Sequence, residues 1–376
     1  MRRLLAMGLA MFVAAAVHEA AFGEPLKVVS EGPVTESSAT RFLLHADRLG
    51  RDFEVVVYVP RATVFLPGQK LPAIYALDGG YGLAGLQSLF LSARDFMAPA
   101  IVVSIDYVSG QQNFRATDFT HNPFTVAGTT AGGGGAAFEA FLLQDLKPFI
   151  EARYPADPAG SVLFGHSLGA VFAANVFTDR PDAFSGYIIG SLVVPRDPTI
   201  VGRVAKAAKA AHGVRVFLAV GGDEDGTTAE NRMMRQGFAS MAEALKNQPG
   251  ITLEARSYPG DVHLSYYPKL ILDGFRFVLP PTVPVNLAFA ILPASTIARY
   301  EGVYDMPDGR TITVKGARDS MLTAEISGTA PVFLLPNGPD RYYAYTSDLD
   351  VLFDANGMTL VGHGNAKLRA GREKAP

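Results

Sequence analysis

The stretch Ser161-Val162-Leu163-Phe164-Gly165-His166-Ser167-Leu168-Gly169-Ala170 decides how this chain is read. Ser161 to Phe164 is a short apolar run, suited to a strand buried on both faces. From Ala170 to Phe177 the sequence reads as a helix. Between them, glycines stand two positions before and two positions after one serine. That spacing predicts a strand, a very sharp turn and a helix, with Ser167 at the apex in a strained backbone conformation. A side chain at 165 or 169 is expected to collide with the neighbouring strand or helix. The helix N-terminus adds positive potential at the serine oxygen.

The flanking pattern supplies the rest of the sheet. Phe53–Val59, Ala73–Leu77, Ile101–Ile105, Tyr187–Ile189 and Val214–Val220 are short runs rich in aliphatic, aromatic and β-branched residues, most of them ended by Gly or Asp. Ile251–Arg256 alternates more and is a further strand candidate. Helical stretches lie between them: Phe138–Arg153, with Pro148 as a kink, then Thr228–Lys246 and Pro268–Phe277. Alternation of this kind predicts an α/β fold with a doubly wound, mostly parallel sheet. G-x-S-x-G at a strand–turn–helix junction is the nucleophile elbow of α/β-hydrolases.

Beyond Leu279 the pattern changes. Leu279-Pro280-Pro281-Thr282-Val283-Pro284 reads as a stiff connector. After it the helical periodicity disappears. Tyr300–Tyr304, Thr311–Val314, Leu322–Ile326, Val332–Leu335, Tyr342–Tyr345, Val351–Phe353 and Thr359–Val361 are strand-like, with Asp308-Gly309 and Asn356-Gly357 as hairpin turns. The expected organisation is a catalytic α/β domain over 24–280, a linker over 281–293, a small antiparallel β domain over 294–370 and a tail over 371–376. The glycine run Ala131 to Gly135 reads as a flexible loop. It lacks the Lys-Ser/Thr of a phosphate cradle.

Composition narrows the class. Charged residues are only 18% of the 376 against 48% hydrophobic, which argues against disorder. A net charge of −3, with no basic cluster, gives no footprint for nucleic acid. Without cysteine there is no disulfide, thiolate metal site or cysteine nucleophile. Arg2 and Arg3 precede an apolar run from Leu4 to Val17, and Ala21-Phe22-Gly23 offers small residues before Glu24. This reads as a secretory signal peptide over 1–23, the run being shorter than the ~20 residues of a spanning helix. The expected product is periplasmic or secreted, with no membrane span.

A serine hydroxyl needs a base, and this fold places its residues in the order serine, acid, histidine. His18 leaves with the leader, His45 and His121 precede the serine, His212 sits before a strand and His363 lies in the β domain. The side chain of His166 is expected to point away on the turn. His263 remains, in Pro259-Gly260-Asp261-Val262-His263, between a strand and the last helix of the domain. For the acid, Glu224 is preferred in Gly221-Gly222-Asp223-Glu224-Asp225, with Asp225 and then Asp223 in reserve. Helix capping explains the remaining carboxylates. An oxyanion needs backbone N–H donors, expected from Leu168 and from Gly79 or Gly80. Arg115 is a candidate for substrate binding, with an ion pair to Asp118 as the structural alternative. No cofactor is implied, and no His/carboxylate cluster has metal-ligand spacing in the sequence.

Residues about 36 to 280 resemble the putative-esterase (esterase D-like) family of α/β-hydrolases, and within it the branch of siderophore trilactone esterases. The likeness rests on Leu71 to Gly79, Ile105-Asp106-Tyr107, Arg115, Asp118-Phe119-Thr120, Phe138 to Tyr154, Gly165 to Gly169, Val216 to Glu224 and Pro259 to His263. It implies a nucleophile at Ser167, a base at His263 and an acid near Glu224, although some relatives work as a Ser–His dyad. Where many members carry Ser-Pro-Ser and an aromatic pair, this chain has Ser191-Leu192-Val193-Val194-Pro195, so the pocket is expected to differ there. Tyr300 to Tyr304 faintly resembles the β domain appended to some periplasmic serine hydrolases. The expected activity is hydrolysis of carboxylic esters through an acyl-enzyme, with siderophore lactones or other carbonyl-rich esters as small-molecule substrates. An acyltransferase, or a binding protein on an inactivated hydrolase scaffold, are the alternatives.

Overall fold

A computed structural model describes residues 39–60, 66, 68–79, 97–126, 128–224, 229–280, 291–318, 320–344, 349–362 and 366–373. The expected leader, most of the connector, Gly80, Asp225 and His363 lie outside the described residues.

The apolar runs form one sheet. Its strands are β1 (Ala39–Ala46), β2 (Arg51–Tyr58), β3 (Ala73–Leu77), β4 (Ile101–Tyr107), β7 (Val162–His166), β8 (Gly186–Gly190), β9 (Val214–Gly221) and β10 (Ile251–Tyr258), with a small hairpin, β5 (Pro123–Val126) and β6 (Thr129–Gly132), inserted after β4. Their order is β1-β2-β4-β3-β7-β8-β9-β10. β1 pairs with β2 and β2 with β4 antiparallel, and every other neighbour is parallel. All five residues of β3, β7 and β8 are buried, so these strands carry apolar residues on both faces. β1 escapes sequence reading because it is an edge strand with an irregular, largely exposed pattern.

Aromatic rings fill the layer beneath the serine. Phe172, on the helix Leu168–Asp179, meets Phe138 edge-on at 5.1 Å and Phe119 at 5.9 Å. Each such pair adds about 0.5–1.5 kcal/mol beyond area burial and fixes the helix against the neighbouring chain. The helix carrying Phe138 widens to a π-helix over Phe141–Leu146, then returns to α geometry over Lys147–Arg153. Pro148 lies in the first turn of that segment. A proline there lacks an N–H and would clash with the carbonyl four residues back; the wider turn replaces the simple kink expected.

The glycine run is structured, not a flexible loop. Gly132 ends β6 at φ 94°, Gly133 follows at φ 91°, and Gly135 begins the helix Gly135–Ala140. A Cβ on Gly135 would lie 2.5 Å from Nδ1 of His121, so close packing accounts for the glycine.

The C-terminal part is a closed antiparallel barrel: β11 (Gly302–Asp305), β12 (Thr311–Gly316), β13 (Leu322–Ile326), β14 (Val332–Pro336), β15 (Arg341–Ala344), β16 (Leu349–Asp354), β17 (Gly357–Val361) and β18 (Lys367–Arg372). Tyr304, Tyr342 and Phe353 pack in its core. Helical structure does not vanish before it, since Ala294–Ala298 forms a short helix whose Ile297 joins that core. β18, which closes the barrel onto β11, carries only Leu368 and Ala370 as apolar residues and gives too little pattern to be read. Leu66, from the segment between β2 and β3, also packs into the barrel core.

Candidate active site

The elbow forms as the spacing predicts. β7 ends at His166, the helix begins at Leu168, and Ser167 between them has φ 60° and ψ −119°. A non-glycine residue with positive φ costs free energy and persists only where its surroundings hold it; here the Ser167 N–H donates to the Gly190 carbonyl at 2.9 Å. The two glycines are not equivalent. A Cβ on Gly165 would lie 2.1 Å from the Gly169 carbonyl oxygen, so position 165 admits no side chain. A Cβ on Gly169 would meet Asp78 and Leu77 at 3.5 and 3.6 Å, which is ordinary contact, and the collision expected there does not occur.

Ser167 opens onto a cavity of about 500 Å³ lined by Asp78, Arg115, His166, His263, Leu264, Tyr267 and Pro268 as well. His263 comes from the loop after β10. Its Nδ1 lies 3.3 Å from Oε2 of Glu224, whose side chain has no exposed surface. The other oxygen of Glu224, Oε1, accepts from the Gly221 N–H at 2.9 Å and from the Ser191 hydroxyl at 2.5 Å. Asp223 is exposed, its N–H bonded to the Asp261 carbonyl, so the loop turns one carboxylate in and the next one out.

His166 corrects the expectation that its side chain points away. Its ring lines the cavity, with its centroid 4.6 Å from that of His263 and 5.3 Å from that of Tyr267. Burial, reinforced by the neighbouring His263 and Arg115, pushes its pKa down to about 3, so the ring is neutral. Sequence position alone hid this, because strand residues next to a sharp turn can face either layer.

Arg115 also differs from its structural alternative. It does not pair with Asp118. Its Nε and Nη2 donate to the two oxygens of Asp78 at 2.7 and 2.8 Å, and Nη2 also reaches the His166 carbonyl at 3.2 Å. Asp118, fully buried, instead accepts from Arg51 and from the Tyr107 hydroxyl. Burial raises the Asp78 pKa while Arg115 pulls it down.

Leu168 is the first residue of its helix, so its N–H has no carbonyl one turn back to receive it. Gly79 follows Asp78, which has φ 53°, at the end of β3. A Cβ on Gly79 would lie 1.5 Å from the Ser104 hydroxyl oxygen, so the backbone can run here only as glycine.

Away from this site, His121, Glu139 and Asp179 come together although the sequence shows no metal spacing. The His121 Nε2 lies 3.2 Å from Glu139 and 3.4 Å from Asp179. Arg180 and Arg203 approach the same carboxylates at 3.8 and 3.9 Å, making this an ion-pair network.

The sheet order and the elbow define an α/β-hydrolase. The family described as "Putative esterase" matches residues 46–278, and the chain belongs to that family. Among curated relatives, the ferri-bacillibactin esterase BesA of Bacillus subtilis is 27% identical over 252 residues, 61% of this chain and 86% of that protein. The siderophore triacetylfusarinine C esterase of Aspergillus fumigatus is 31% identical over 134 residues, 32% of this chain and 44% of that one. Among solved structures, the BES protein of Bacillus cereus superimposes with a TM-score of 0.60 at 24% identity, covering 68% of this chain and 99% of its own. The siderophore hydrolase EstA of Aspergillus nidulans gives 0.57 at 20%, covering 66% and 97%. The chain is a carboxylic ester hydrolase built on a serine-hydrolase fold, near the siderophore-esterase branch.

Proposed function

We propose that this esterase works through an acyl-enzyme on Ser167. The observation that carries the reading is the convergence of Ser167 and His263 on one cavity, with Nδ1 of His263 against the buried carboxylate of Glu224. His263 takes the Ser167 proton at Nε2 while the oxygen attacks the ester carbonyl. Glu224 holds the ring and balances the charge that forms on it. The tetrahedral oxyanion lies at the helix N-terminus, where the N–H groups of Leu168 and of Gly79 or Gly80 receive it. The intermediate collapses, His263 gives its proton to the leaving alcohol, and water then attacks the acyl group by the same route.

The substrate class follows from the relatives and the lining. One curated relative is named a ferri-bacillibactin esterase and another a siderophore triacetylfusarinine C esterase. The cavity combines the apolar walls of Leu264, Tyr267 and Pro268 with an arginine largely neutralised by Asp78. Such a surface suits a carbonyl-rich lactone, with Arg115 as the group facing its carbonyl oxygens. Among the described residues no helix is long and apolar enough to cross a membrane, and the basic start and apolar run of the sequence support export to the periplasm or beyond.

The test is a hydrolysis screen over short-chain, aryl and macrolactone esters with Ser167→Ala as control. Turnover is expected on aryl esters and faster turnover on macrolactones, all lost in Ser167→Ala. Activity surviving Ser167→Ala would overturn the mechanism, and macrolactones left intact while aryl esters turn over would overturn the substrate class.

A further inference from the structure

We infer that Ser191 is a positioning residue that fixes the carboxylate of Glu224 against His263, an inference resting on the proposed role of Glu224. Ser191 follows the last residue of β8, with φ 48° and no exposed surface. An L-residue is disfavoured in that region and glycine is not. The position therefore favours glycine on backbone grounds, and what serine contributes there is its hydroxyl.

That hydroxyl is fully engaged. It donates to Oε1 of Glu224 at 2.5 Å and lies 2.5 Å from the hydroxyl of Tyr266, which donates to it in turn. Tyr266 is itself buried and sits three residues after His263, at the N-cap of the helix Tyr267–Val278. The chain of donors runs from Tyr266 through Ser191 to Glu224, and through the second carboxylate oxygen back to His263.

The need for such a clamp is geometric. A glutamate carboxylate turns about a broad terminal torsion. One donor, the Gly221 N–H, leaves that rotation loosely held. A second donor from a different strand end fixes the plane, and with it the position of Oε2 at 3.3 Å from Nδ1. The Ser191 N–H, bonded to the Ala219 carbonyl at 2.8 Å, ties the serine to β9, the strand that leads into the turn holding Glu224.

The experiment uses the full chain and an activated aryl ester. Ser191→Gly removes the hydroxyl and suits the backbone; Ser191→Ala removes it and keeps the strain. Both variants are expected to lower kcat between about tenfold and about a hundredfold, with KM within about twofold. The NMR signal of the His263 Nδ1 proton should shift or be lost to exchange. Tyr266→Phe, which leaves the Ser191 donor in place, should lower kcat less than either. If folded Ser191→Gly keeps the parent kcat and Nδ1 signal while Ser167→Ala is inactive, the clamp is overturned and the mechanism stands. If Ser167→Ala remains active, the mechanism falls and the clamp with it.

Discussion

The imidazole rings of His166 and His263 lie 4.6 Å apart and are inclined at 43°. The two rings have different surroundings, His166 being buried and His263 partly exposed. His166 is buried, its Nε2 has no partner among the described residues, and its pKa is pushed down to about 3 from the ordinary 6.5. The unfolded chain therefore binds a proton between pH 6.5 and 3 that the native state refuses, and stability falls as pH drops through that window. By pH 4 this residue alone should cost the fold about 3 kcal/mol. His166→Asn should flatten the slope of Tm against pH over pH 4–6.5, measured by calorimetry. An unchanged slope would show that another group governs acid unfolding.

Glu224 and Asp223 are neighbours in sequence with opposite environments. Glu224→Gln replaces an acceptor facing the Gly221 N–H and His263 with an amide that cannot serve both. It should lower kcat by about a hundredfold or more. Asp223→Asn, at an exposed side chain, should stay within about threefold of the parent. Comparable losses in steady-state kinetics would remove Glu224 from the acid role.

Gly79 offers a steric test of the proposed oxyanion backbone. Gly79→Ala drives a methyl group into the Ser104 side chain, 1.5 Å from its oxygen and 2.8 Å from its Cβ. The loop must move, and activity should collapse. Adding Ser104→Gly removes both clashing atoms and should restore much of kcat. Failure of the double variant to recover, in a folded protein, would point to a need for glycine beyond space.

Arg115 and Asp78 form a bidentate pair in which Asp78 is only 10% exposed. Arg115→Ala leaves a buried carboxylate unpaired and should lower Tm sharply, by about 3 kcal/mol of stability. Arg115→Ala with Asp78→Asn should recover part of that loss, because the stranded charge is gone. Additive melting shifts in a double-mutant cycle would refute the coupling.

The sheet, the elbow and the small β domain were legible because each depends on local pattern: apolar runs, a glycine pair, and turns such as Asp308-Gly309. His263 could be found by eliminating six other histidines, and Glu224 by its place after β9. What stayed hidden depends on contacts between distant segments. The pairing of Arg115 with Asp78 rather than Asp118 spans 37 positions. The hydroxyl at Ser191 serves a carboxylate 33 residues later. The inward face of His166 is fixed by Tyr266 and Tyr267, a hundred residues away. No period or motif encodes those meetings.

The barrel closes because β18 pairs with both β17 and β11. While it stays closed, each described strand of the barrel has a neighbour on both sides, although β18 meets β11 only at Tyr304 and Asp305. Loss of β18 alone would bare β11 and β17 together and turn a protected module into a template for aggregation. Cutting the chain before Lys367 is therefore expected to lower the solubility of the barrel as well as its stability.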